Sequence, residues 1–88
     1  MPKLILKYEG RRLQERLVGT QPVSIGRLPE NDLVIENPAV SGRHARVYRE
    51  GTHYVLEDLK STNGTFVNDR QIDAPWLLQD GDYLRVGN

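Results

Sequence analysis

Side chains able to grip an anion gather in three short stretches of this sequence. Gly26-Arg27 places a guanidinium directly after an apolar run, and Ser41-Gly42-Arg43-His44 adds a hydroxyl, a second guanidinium and an imidazole. The stretch from Asp58 to Asn68 carries three further hydroxyls (Ser61, Thr62, Thr65), the Asn63 amide and the Lys60 ammonium, and its apolar residues stop at Leu59 and resume at Phe66. Hydroxyl and amide groups held on a tight turn suit an anionic, oxygen-rich ligand. A guanidinium can meet two oxygens of such a ligand in a fork, which lysine cannot reproduce. Asn63-Gly64 predicts a reversal, because both residue types tolerate a positive φ. Each stretch also has a plainer reading: a polar hairpin loop, a solvated arginine, a histidine satisfied inside the core. For His44 the sequence favours the structural role.

Short strands must position these loops. Leu4 to Tyr8, Leu13 to Val18, Val23-Ser24-Ile25, Leu33-Val34-Ile35, Ala45 to Tyr48, Thr52 to Glu57, Phe66-Val67, Gln71-Ile72 and Tyr83 to Val86 read as strands. Several alternate apolar and polar residues, as half-buried strands do. Turn signals separate them at Glu9-Gly10, Gly19-Thr20, Leu28 to Asp32, Glu36-Asn37-Pro38, Glu50-Gly51 and Gln79 to Asp82. Leu13 and Leu17 have helical spacing, but Gly10 and Gly19 leave that run too short for a stable helix. Trp76, Leu77 and Leu78, after Pro75, read as core plugs beneath a connection. Many short strands with frequent turns predict an all-β antiparallel sandwich or barrel.

Composition narrows the function. Eighty-eight residues, 38% hydrophobic and 27% charged, fit one folded domain with a single modest core. Twelve basic residues balance twelve acidic ones, which argues against a protein built to coat nucleic acid or an anionic membrane. With no cysteine there is no disulfide framework and no thiolate chemistry. Two histidines without a close acidic cluster make a catalytic metal site a poor reading. No stretch approaches a membrane span or a signal peptide, so the expected location is cytoplasmic.

Taken together, Gly26-Arg27, Ser41-x-x-His44 and Ser61-Thr62-Asn63-Gly64 with Asn68 beyond resemble the forkhead-associated (FHA) domain family. Asp32 to Ile35, Asp58-Leu59 and Leu78 to Asp82 are similar to its flanking pattern, and the resemblance covers Val23 to Val86. It implies a twisted sandwich of two antiparallel sheets, FHA/SMAD-like, whose loops at one end bind a phosphothreonine peptide made by a Ser/Thr kinase. Carried over by position, Arg27 would pair with the phosphate, and Ser41 and Thr62 would give it hydroxyl hydrogen bonds. Asn63 would hold the peptide backbone. His44 would brace the Ser41 loop from within, Gly26 and Gly64 would serve backbone geometry, and Asn68 would tie down the turn after the binding loop. No cofactor, metal, nucleic acid or membrane is implied.

Two departures stand out. Many relatives carry a long or amide side chain after Ser41, and here it is Gly42, so that contact is lost unless Arg43 replaces it. The family pattern also runs past Val86-Gly87 into a last strand, whereas this sequence stops at Asn88. The expectation is a single domain over residues 1–88, cut before its last strand, or else an open edge near Leu4 to Tyr8. Two other functions stay in view: a sandwich that binds its partner without phosphate, and a small hydrolase using Ser41 and His44. The second lacks an obvious third, orienting group.

Overall fold

The computed structural model describes residues 3–8, 11–17 and 19–87, with side chains considered from residue 19 onward. Ten strands form two five-stranded sheets, and no helix occurs among the described residues. In chain order they are β1 (Lys3–Tyr8), β2 (Arg11–Leu17), β3 (Val23–Gly26), β4 (Leu33–Val34) and β5 (Ala45–Glu50). They continue with β6 (His53–Asp58), β7 (Thr65–Val67), β8 (Arg70–Gln71), β9 (Trp76–Leu77) and β10 (Leu84–Val86). One sheet runs β2-β1-β10-β7-β8 and the other β4-β3-β5-β6-β9. Alternation explains the packing. Ala45 and Val47 of β5 are buried while Arg46 is exposed, and Leu84 and Val86 of β10 are buried around a half-buried Arg85. Val23, Ile25, Val47 and Leu56 from one sheet meet Val67, Leu84 and Val86 from the other in one apolar core.

The structure revises several expectations. Both sheets are mainly antiparallel, but β1 pairs with β10 and β3 with β4 in parallel. These connections pass through the opposite sheet or a loop, so no hairpin constrains the direction. The run from Leu4 to Tyr8 is not an open edge, because β1 lies between β2 and β10. The run from Leu13 is strand as expected, within β2, which pairs with β1. Trp76-Leu77 forms the edge strand β9 against β6, with Leu77 48% exposed, so only Trp76 and Leu78 pack on the core. The expected turn at Glu9-Gly10, the residue Val18 and the chain end at Asn88 lie outside the described residues. Among those described, no helix is long and apolar enough to cross a membrane, which says nothing of membrane β-barrels.

The positive-φ hairpin is one strand further on than Asn63-Gly64 suggested. Asn68 and Asp69 have φ of +49° and +67° between the paired residues Val67 and Arg70, the signature of a type I′ turn. Asn68 then ties this turn to the one before β10. Its Nδ2 donates to Asp82 Oδ1 at 2.8 Å, and its Oδ1 accepts the Tyr83 N–H at 3.1 Å. Asn68→Ala removes both bonds and puts an alanine in the left-handed region. The expected loss is about 2 kcal/mol of unfolding free energy, measurable by urea denaturation.

Candidate functional site

The three singled-out stretches meet at one end of the sandwich, because β3, β5 and β6 are neighbours and their connecting loops emerge there. Arg27 follows the last residue of β3. Its N–H donates to the Ser41 carbonyl at 3.0 Å, and the Leu28 N–H donates to the Gly42 carbonyl at 3.2 Å. Gly26 permits this approach, since a Cβ at that position would overlap the Gly42 carbonyl oxygen. Asn31 fastens the same junction, its Nδ2 donating to the carbonyls of Leu28 at 2.8 Å and Gly42 at 2.7 Å.

A second junction ties Ser41 to the 61–64 loop. The Thr62 N–H donates to Ser41 Oγ at 3.0 Å, and Asn63 Nδ2 donates to the Ala39 carbonyl at 2.7 Å. Beneath it lies His44, 0% exposed. His44 Nδ1 accepts the Ser41 N–H at 3.0 Å, and Nε2 stands 2.7 Å from the Gly64 carbonyl. A nitrogen that accepts carries no proton, so in the neutral ring the hydrogen sits on Nε2 and donates to Gly64. Burial holds the imidazole pKa below its usual 6.5. The Gly64 hydrogen bond and the Asp58 charge offset only part of that effect.

Asp58 organises the 61–64 loop from its other side. Its carboxylate accepts the Ser61 N–H at 3.1 Å, the Ser61 hydroxyl, and the Thr65 hydroxyl at 2.6 Å. Partial burial pushes this carboxyl up, but those hydrogen bonds and the nearby His44 more than reverse it, leaving the pKa below 3.8. Ser61 Oγ also accepts the Gly64 N–H at 3.0 Å. Gly64 has φ +95°, a left-handed conformation that favours glycine, whereas the Gln71 amide that a Cβ would meet is the end of an exposed side chain that can move aside.

What remains available faces solvent. Ser41 Oγ accepts from Thr62, which leaves its hydroxyl hydrogen to donate. The Thr62 side chain and both Arg27 and Arg43 are exposed, and no described residue forms an ion pair with either guanidinium. Asn63 commits one amide N–H to Ala39 and so acts as a loop tie, with its second N–H left over. Arg27 lines a hollow of about 420 Å³, but Ser41 and Thr62 do not, so the three are joined through backbone contacts rather than through that hollow. Sequence reasoning missed Asp58, Asn31 and the Ala39 carbonyl as organisers of the site. Asp58 three residues before Ser61 was the available signal, since an aspartate there commonly closes an Asx-type turn. Among the described residues no group of His, Asp and Glu is placed to hold a metal.

The model of the FHA domain family matches residues 23–87, which contain every element of this site. The chain belongs to the FHA domain family. Among curated FHA relatives, the transcriptional regulatory protein EmbR of Mycobacterium tuberculosis is 44% identical over 62 residues, covering 70% of this chain and 16% of EmbR. The glycogen accumulation regulator GarA of Mycolicibacterium smegmatis is 34% identical over 85 residues, covering 96% of this chain and 53% of GarA. The solved structure of M. tuberculosis EmbR with a low-affinity phosphopeptide superposes with a TM-score of 0.75 at 36% identity, covering 96% of this chain and 21% of EmbR. An FHA domain solved in a study of phosphothreonine-dependent interactions gives a TM-score of 0.74 at 33% identity, covering 97% and 84%. This FHA chain thus spans between about a sixth and about a half of EmbR and GarA.

The His44 bridge has a consequence for pH. Protonation would put a donor on Nδ1 against the Ser41 N–H donor, so the folded state resists it while the unfolded chain does not. The corresponding stability is complete above pH 6.5 and is lost as pH falls toward the lower folded pKa. Asp58, also depressed, contributes stability above 3.8 that fades only at lower pH. Denaturant melts taken from neutral pH to about pH 5 should show falling stability, and His44→Gln should start lower and decline less over that range.

Proposed function

We propose that this chain is a phosphothreonine-peptide binding module of Ser/Thr-kinase signalling, with no catalysis of its own. One observation carries the reading. The backbone N–H of Arg27 donates to the Ser41 carbonyl and that of Thr62 to the Ser41 hydroxyl oxygen, which brings the three loop positions that bear a guanidinium and two hydroxyls next to one another. A phosphothreonine brings roughly −1.5 to −2 charge and three acceptor oxygens, and an unpaired arginine flanked by hydroxyl donors is complementary to it. Hydrogen bonds to a charged group contribute roughly 1.5–3 kcal/mol each, so contacts to the peptide add to them in setting affinity. Arg27 is the phosphate partner, Ser41 and Thr62 donate their hydroxyls, and the second N–H of Asn63 is free for the peptide backbone. Arg43 reaches the peptide in place of the side chain that Gly42 lacks. His44, Gly26 and Gly64 set the loops, and Asn68 holds the far end of β7.

A hydrolytic role for Ser41 and His44 is disfavoured by the same geometry. His44 Nδ1 is occupied by the Ser41 backbone N–H, Nε2 by Gly64, and the ring has no exposed surface to receive a substrate proton. The expected ligand is a protein phosphorylated on threonine by a Ser/Thr kinase. The expected location is the cytoplasm, to which the absence of cysteine is suited.

Two measurements test the proposal. A peptide library titrated in phosphothreonine, phosphoserine and unphosphorylated forms should bind in that order of preference, the γ-methyl adding about 0.8 kcal/mol by burial. Equal binding of all three would leave a phosphate-independent interaction module instead. Arg27→Ala should weaken phosphothreonine-peptide binding at least about tenfold, roughly 1.4 kcal/mol, while the unfolding midpoint stays put because the side chain is exposed.

A further inference from the structure

The hollow beside Arg27 is walled by Pro29, Val34 and Pro38, with Glu36 and Asn37 completing it. Its position, chemistry and rigidity point to a use. It shares Arg27 with the anion site, so a ligand whose phosphate engages the guanidinium brings neighbouring residues to its mouth. Extended peptide advances about 3.3–3.6 Å per residue, so a side chain within three positions of the phosphothreonine is within reach. Its far wall is set in advance of any ligand. Asn37 Oδ1 accepts the Ala39 N–H at 2.8 Å, the Val40 N–H donates to the Asn37 carbonyl at 2.9 Å, and Val40 is buried in the core. Asn63 holds the same turn through Ala39. A preformed pocket loses little ordering entropy on binding.

Electrostatics selects the occupant. Glu36 is exposed and forms no ion pair with Arg27 or any other described residue. Once a phosphate has neutralised Arg27, the hollow lies between two negative groups, the phosphate and Glu36. An acidic side chain is repelled there. An apolar one gains only contact with the prolines and valine. Lysine or arginine gains both, laying its methylene stem along Pro29, Val34 and Pro38 with its cationic head at Glu36.

We infer that this hollow is a subsite for a basic side chain next to the phosphothreonine, with Glu36 as the residue that selects it; the inference rests on the phosphothreonine reading above. The experiment uses alanine-based phosphothreonine peptides carrying one lysine, norleucine or glutamate, scanned over the three positions on either side. At one position lysine should bind several-fold tighter than norleucine, and glutamate weakest. Glu36→Gln should erase the lysine advantage over norleucine but leave affinity for the all-alanine phosphopeptide within twofold. Glu36→Lys should make glutamate the preferred residue at that position. Phosphopeptides that bind without a positional preference, or with one that survives Glu36→Gln, would overturn the subsite and leave phosphothreonine recognition standing. If no phosphopeptide binds while the protein remains folded, both fall together.

Discussion

The structure of the binding end depends on one neutral imidazole. His44 sits with no exposed surface between the Ser41 N–H and the Gly64 carbonyl, accepting from the first and donating to the second. Only a ring with one bare and one protonated nitrogen satisfies both neighbours. Hydrogen bonds then run on from Gly64 to Ser61 and from Ser61 to Asp58, while Thr62 returns one to Ser41 Oγ. The two loops that carry the hydroxyls are thereby closed into a ring. Their separation is set by the width of an imidazole, not by contacts between the loops alone.

The same bridge joins the sheets. His44 directly precedes β5, whereas Gly64 leads directly into β7 of the other sheet. The 59–64 segment is the crossover between them, and the Gly64 carbonyl also accepts the Gly87 N–H just after β10. Apolar packing through Ile25, Leu56 and Leu84 holds the sheets face to face, but that force is not directional. Polar ties at the loop end supply the direction. The arginine just after β3, a serine before β5 and a threonine in the crossover consequently fall side by side along the backbone, although 35 positions separate the first from the last.

Much of this was legible in the sequence because its signals are local. Alternation in Ala45 to Tyr48 and in Leu84 to Val86 fixed which faces are buried, and that pattern holds wherever one face of a sheet is covered. Other readings failed where distant partners decide. Trp76-Leu77 follows a proline and has no alternation of its own, and it is a strand only because β6 offers an edge. Asn63-Gly64 looked like a hairpin turn from its residue types, yet the type I′ geometry fell to Asn68-Asp69, where pairing of Val67 with Arg70 demands it. Asn63 was drawn to Ala39 instead, a carbonyl brought near only by folding.

By itself, then, the sequence determined the class of fold, the residue types at the candidate site and the family pattern they make, because each is written in neighbours a few positions apart. It could not decide which strands run parallel, that Asp58 and Asn31 would organise the loops, or that a pocket carrying Glu36 would open beside Arg27. Those features arise between segments far apart in the chain, and a hydrogen bond or a cavity between two loops exists only once the core has fixed where both loops emerge.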